Sequence, residues 1–569
     1  MASSYDVVLR GGTIVDGSGG APFEGDVAIC GGRIAEVGRV EGHGAQEFDV
    51  RGKLVTPGFV DLHTHYDGQI TWENRLAPSS NHGVTTVVMG NCGVGFAPCR
   101  PDQHHLAVKL MEGVEDVPEA VMIEGLPWTW ETFPEYLDTL ENRHADVDFA
   151  AQLPHSPLRV YVMGERGAER EPPTAAELAE MRRLTTEAIR AGAVGVSTSR
   201  QLAHRFRSGK SAPSVLTEVD EVLALAEGLR DAGTGVFQMI CNTAKPPMEE
   251  FDVLRRVAET AGRPLSFTLA SGAPDGRETI MRGVEAARAE GLALRAQFFP
   301  RPVGMLFGLD LSYHPFALNP SYRPLETLSL ADKLAALRDP ALRARLLAEA
   351  PDDPNPFVLS MVRRIDNLFV LGDPPDYQPS PEESLTAKAA ATGQDLREVI
   401  YDALLEEDGH AILYCPLGPL GENPRALFEN EGAVLGLGDG GAHYGMICDA
   451  AYPTYLLTRL SRDAPSHEKV AVPAAIRALT RTPAETVGFL DRGLIRAGLK
   501  ADLNVIDYDA LRLHAPRVAR DLPAGGKRLS QKADGYVMTL LDGQVTYRDG
   551  IHTGALPGRL IRGQRPAAT

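Results

Sequence analysis

Two kinds of alternation run along this chain. DVVLRGGTIVDG (6–17) and DVAICGGRIAEVG (26–38) alternate apolar and polar residues around Gly-rich turns, the period-two pattern of strands with one buried face. LKADLNVIDYDAL (499–511) and ADGYVMTLLDGQVTYRDG (533–550) repeat it near the other end. Together they predict a small β-sandwich built from both termini, residues 1–56 and 491–569. The middle alternates differently. Wholly apolar runs are separated by helical stretches, of which TAAELAEMRRLTTEAIRAG is the clearest, with Thr174 as N-cap and Gly192 just past its end. KLVTPGFVDLHTH supplies a buried strand over 54–65, and VTTVVMGNC, DFAAQLPH, GAVGVSTS, TGVFQMIC, PLSFTLASG, LALRAQFFP and AVLGLGDGG complete eight. Eight strand–helix repeats predict an α/β fold with a TIM-like (β/α)8 barrel over 57–490.

One segment does not fit a barrel repeat. Residues 303–430 are too long for an ordinary loop, rich in Pro, and contain AILYCPLG and the helical LADKLAALRDPALRARLLAEA. The segment reads equally as a packed peripheral subdomain or as a lid over the mouth of the barrel.

Composition narrows the partners. The 569 residues carry a net charge of −19, which disfavours nucleic acid and anionic membranes. No apolar run approaches the roughly 18 residues that cross a bilayer, and the N-terminus lacks the pattern of a signal peptide. Six scattered cysteines without CxxC spacing read as reduced thiols, so a cytoplasmic location is expected.

Three stretches carry chemistry. In GFVDLHTHYDG, alternation on a strand would turn Asp61, His63, His65 and Asp67 to one face, and two imidazoles at i and i+2 grip one cation. Cys92 ends the next buried strand, beside Asn91 and two glycines. It is either a buried structural cysteine or a thiolate facing that cation, binding one metal or bridging two. In GLGDGGAHYG, Asp439 ends the last strand, where a carboxylate can ligate the metal and take a proton from water; His443 follows on the loop.

With these residues in view the chain resembles the amidohydrolase superfamily, and within it the N-acyl-D-amino-acid deacylases. PGFVDLHTH, GVTTVVMGNCG, PHSPLRVYVMG, GAVGVSTS, GDGGAH and the tail RTPAETVGFLDRGLIRAGLKADLNVID carry the likeness over nearly the whole chain. The resemblance implies His63, His65, Cys92 and Asp439 as metal ligands, Asp439 also as general base, and one or two divalent cations (Zn or Mn) per chain. A homodimer is common among such relatives. The chain also departs from the branch. Deacylases place a second-metal histidine and an arginine on strand five, in a THxR-like run, and another histidine on strand six. GVFQMICN and SFTLASG stand there instead.

Other residues are candidates for the missing half. His155 ends strand three and His204 follows strand four; each reads as a catalytic residue, ligand, oxyanion donor or merely a hydrogen-bonded side chain. Arg200 and Lys210 read as a solvated charged face or as contacts to an anionic group, and Gln238 and Cys241 are weaker candidates. The expected reaction is hydrolysis at the carbonyl of a bulky small-molecule acyl substrate by metal-activated water, needing no organic cofactor. The bond is an acyl-CoA thioester or an amide. The alternatives are a deacylase proper and a non-catalytic scaffold of the same fold.

Overall fold

The computed structural model describes residues 4–567 apart from 272 and 274. Its centre is an eight-stranded, wholly parallel sheet. The strands are β1 (Phe59–Asp61), β2 (Val84–Met89), β3 (Asp148–Pro154), β4 (Gly195–Ser199), β5 (Val236–Ile240), β6 (Leu265–Thr268), β7 (Leu294–Phe298) and β8 (Ala433–Leu435). Each pairs with its successor, so the order is the sequence order. These are the eight apolar runs of the sequence, buried on both faces as parallel strands covered by helices must be. The helix after β3 shows why its ends are where they are. Thr174 and Glu177 form a capping box at the start of Ala175–Ala191, and Gly192 takes the left-handed conformation at its end.

The sheet curls until β1 and β8 meet. Two backbone hydrogen bonds join the segments just past them: Asp439 N–H donates to His63 O (3.1 Å) and His65 N–H to Gly440 O (2.8 Å). The seam of the TIM-like barrel is therefore stitched by the motifs that carry the chemistry. Glycine is required beside it: a Cβ on Gly438 would fall 2.0 Å from Asp61 Oδ2.

The expected single strand over 54–65 is corrected. Leu54–Pro57 belongs to another sheet, where it pairs with Leu503–Ile506 and with the end of Ser4–Ile14. Only Phe59–Asp61 enters the barrel, so His63 and His65 lie on the loop beyond β1 and not on a strand. Asp67 turns away and accepts from Gly90 N–H (3.1 Å).

The other sheet has nine strands drawn from both ends of the chain. Its core interleaves Val7, Leu9, Ile14, Val27 and Ile29 with Leu503, Val505, Met538 and Leu540. Each fully buried side chain of this kind is worth about 1.5–3 kcal/mol. A buried ionic cluster ties this sheet to the barrel. Asp148, on β3, accepts from Arg492 and from Lys500 (both 2.8 Å), and Lys500 also reaches Asp502 (2.9 Å).

The excursion after β7 folds around its own core, including Phe307, Phe316, Leu346, Ile400 and Leu413. A three-stranded antiparallel sheet lies within it: Gly304–Phe307, Leu413–Pro416 and Phe369–Val370. The predicted helical stretch there is two helices, Leu330–Leu337 and Pro340–Ala348, each N-capped by its own side chain, Ser329 and Asp339. It is a packed subdomain, and one edge touches the barrel mouth. Ser312 bonds Asp116, whose carboxylate also accepts from Gly445 N–H (2.9 Å), and Arg207 lies over the Tyr313 ring. No helix among the described residues is long and apolar enough to cross a membrane.

Candidate metal centre

The loops after β1, β2 and β8 deliver the candidate donors at the C-terminal mouth of the barrel, where parallel barrels place their sites. His63 Nε2 lies 3.2 Å and His65 Nε2 3.6 Å from Cys92 Sγ. Asp439 Oδ1 comes 3.5 Å and 3.8 Å from the same two nitrogens. Among the described residues, His63, His65 and Cys92 are the one group of three such donors within 4.8 Å of one another, so Asp439 approaches the imidazoles and not the thiol. Cys92 and Asp439 both adopt positive φ, 58° and 47°. Neither is glycine, and left-handed backbone at such residues is a cost carried at functional loops.

These spacings fit a cation. A tetrahedron with bonds of about 2.0–2.3 Å to nitrogen and sulfur has edges of roughly 3.3–3.8 Å. Two imidazoles, one thiol and a nearby carboxylate are zinc-type donors. Burial pushes the Cys92 thiol well up and His65 well below the usual histidine range, so burial favours the neutral form of both. A cation would supply the charge that ionises the thiol.

A supporting ring surrounds the donors. His63 Nδ1 donates to Gln297 Oε1 (2.7 Å), and Gln297 Nε2 donates to Ser266 Oγ (2.9 Å). This fixes the tautomer that leaves His63 Nε2 free to ligate. His65 Nδ1 lies 3.6 Å from Glu115, whose other oxygen is 3.5 Å from His443 Nε2. Glu115 is buried at 1 % exposure, and burial, with Asp439 and Asp67 nearby, raises its pKa well above the ordinary value. Burial likewise pushes Asp61 up to about 8; its Oδ1 accepts from His63 N–H (3.1 Å).

The remaining candidates divide. His204 stands at the mouth on the loop after β4, half-buried. Burial, with His443 and His63 close by, holds its pKa down to about 3, and Nδ1 has no partner among the described residues. His155 is not brought to the donors. Its Nδ1 pairs with Thr198 Oγ1 and its Nε2 with Glu221 Oε1, both at 2.8 Å, and Glu221 is also held by Arg159. With both ring nitrogens occupied it braces the loop instead of offering a lone pair. Arg200 is no solvated charge: it is buried and forks onto Glu250, while Lys210 pairs at the surface with Glu169 (2.6 Å). Gln238 Oε1 accepts from Cys92 N–H (3.1 Å).

Glu115 and Gln297 were not singled out from the sequence. Glu115 sits among surface-type charges in VKLMEGVEDV and gives no signal. Gln297 is different: a polar residue inside the apolar run LALRAQFFP is a detectable anomaly for a buried strand.

Comparison with known proteins agrees with this architecture. The profile of the amidohydrolase family matches residues 46–547. An uncharacterised protein of Mycobacterium tuberculosis is 29% identical over 546 residues, covering 89% of this chain and 85% of the relative. An N-acyl-D-glutamate deacylase of Alcaligenes xylosoxydans xylosoxydans is 27% identical over 544 residues, 92% of each chain. Among solved structures, a D-aminoacylase superposes with a TM-score of 0.65 at 22% identity, covering 98% of this chain and 100% of the other. An N-acyl-D-glutamate deacylase from Bordetella bronchiseptica, solved with zinc and a phosphonate mimic of the tetrahedral intermediate, matches with the same score, identity and coverage. These two structures share the fold.

Proposed function

The chain belongs to the amidohydrolase family and is a metal-dependent hydrolase, and from that premise we propose that it cleaves the acyl–nitrogen bond of a bulky N-acyl compound with one zinc ion. The observation that carries the reading is the buried trio of His63, His65 and Cys92 at tetrahedral edge lengths, with Asp439 against both imidazoles. When bound, the cation supplies Lewis acidity towards water and the substrate carbonyl.

The side chains do the rest. Asp439 takes the proton of the attacking water and returns it to the departing nitrogen, which must be protonated to leave. Gln297 and Glu115 hold His63 and His65 in their ligating orientation. His204, neutral and half-buried at the mouth, orients the substrate's polar group.

One observation favours an amide over a coenzyme A thioester: relatives with an assigned activity include deacylases of N-acyl-D-aspartate and N-acyl-D-glutamate. No arginine follows on β5 to take an amino-acid carboxylate as in deacylases, so the amine portion is held differently. A panel of N-acyl-D-amino acids, N-acyl amines and acyl-CoA esters, with zinc or manganese added, tests this. Amine release is expected. Thiol release alone, or release of neither, would refute the proposal.

A further inference from the structure

Strands β5 and β6 are where this chain parts from the deacylase pattern, and each carries a neutral polar group with an unsatisfied atom. Gln238 on β5 is 1 % exposed, and its Nε2 has no partner among the described residues. Thr268, at the end of β6, has a buried and equally unpartnered Oγ1. Gln238 stands in register with Ser266 on β6, and Thr268 lies two residues further along, on the same face. That face points to the barrel interior, because Ser266 accepts from the Gln297 amide that holds His63.

The orientation of the Gln238 amide is not free. Cys92 N–H can only donate, so the oxygen must face it, as it does at 3.1 Å. The NH2 group is thereby turned the other way, buried beside a residue of the metal trio with nothing to donate to. An orphaned buried donor costs about 1–3 kcal/mol and calls for a partner.

We propose that Gln238 Nε2 is the hydrogen-bond donor to the substrate's carbonyl oxygen as it becomes an oxyanion, doing with a neutral amide what a second cation would otherwise do. The proposal rests on the hydrolase reading above. Water oxygen adds to the carbonyl carbon while its proton passes to Asp439. The carbonyl π pair moves onto oxygen, where Gln238 N–H meets it. The pair then re-forms the carbonyl, the C–N bond breaks, and the proton held by Asp439 goes to the leaving nitrogen. A donor aimed where charge develops strengthens as the reaction proceeds, and losing one costs about 10²–10³ in rate.

Two substitutions separate this role from a structural one. Gln238→Met removes donor and acceptor alike. Gln238→Glu keeps an acceptor for Cys92 N–H but replaces the donor with an acceptor. The probe is inorganic phosphate, a tetrahedral anion, titrated calorimetrically into the zinc-loaded full chain. Gln238→Glu, which keeps the Cys92 contact, is expected to bind one zinc as the wild type does, and both variants, once zinc-loaded, to bind phosphate about 10-fold or more weakly. On any amide that the wild type hydrolyses, kcat should fall about 10²–10³-fold with KM little changed. Wild-type phosphate affinity in Gln238→Glu would show that the amide only braces the Cys92 loop. Failure of phosphate to bind the loaded wild type would also overturn the inference. Because the phosphate arm needs no turnover, it fails or holds separately from the identity of the substrate.

Discussion

Replacing Gln297 by Met should weaken metal binding without unfolding the barrel. Gln297 touches no candidate donor atom; it accepts from His63 Nδ1 at 2.7 Å, behind the metal-facing nitrogen. Met is of similar length and apolar, so it fits the strand position but cannot accept that hydrogen. His63 is then free to rotate or to take the other tautomer, which puts its proton on the ligating nitrogen. Loss of such a supporting contact typically costs 10–100-fold in metal affinity, about 1.4–2.7 kcal/mol. The stranded Nδ1–H and the vacated Ser266 hydroxyl add about 1–3 kcal/mol against the fold. Zinc affinity is read by competition with a chromophoric chelator, and folding by urea denaturation of the metal-free chain. Gln297→Glu, which keeps and strengthens the acceptor, should bind zinc at least as tightly as the wild type. Wild-type zinc affinity in Gln297→Met, with the fold intact, would refute the reasoning, because His63 would then not ligate through Nε2.

Three further outcomes follow from buried titratable groups. Glu115→Gln should raise the stability of the metal-free protein at neutral pH and weaken zinc binding; the raised carboxyl pKa means that apo stability falls as pH rises above the unfolded value, and the amide removes that loss. Thermal melts across pH and a zinc titration check both directions. His82 is buried between Thr454 and Gln531, and burial holds its pKa down to about 4. Its stabilisation is complete above about pH 6.5 and lost between there and pH 4, about 3 kcal/mol in all; His82→Gln should flatten that part of a urea-midpoint profile. Asp148→Ala leaves Arg492 and Lys500 poorly compensated where the terminal sheet meets the barrel, and should cost about 3–5 kcal/mol in urea denaturation.

The barrel was legible because its strands are long apolar runs at regular spacing, and the candidate ligand histidines because HTH sits at the end of the first. The register around them was not. A strand continued through Thr64 predicts four side chains on one face, whereas the chain leaves the sheet at Asp61 and closes the barrel seam with the backbones of His63 and His65. His155 looked equivalent to His204, since both were expected to project towards the mouth from the end of a barrel strand. What separates them is Glu221, a residue distant in sequence that occupies the His155 ring. Tertiary partners of this kind leave no local pattern. Glu115 illustrates the same limit: a glutamate closing a helix reads as solvent-exposed until the loop bearing His443 is folded over it.

The central claim is that one cation is held by His63, His65 and Cys92. X-ray absorption at the zinc edge, on the loaded full chain with metal counted per chain, tests it most directly. The expected result is one zinc with one sulfur neighbour at about 2.3 Å and imidazole nitrogens at about 2.0–2.1 Å, the sulfur signal vanishing and affinity collapsing in Cys92→Ala. A metal shell without sulfur, or unchanged zinc affinity in Cys92→Ala, would contradict it.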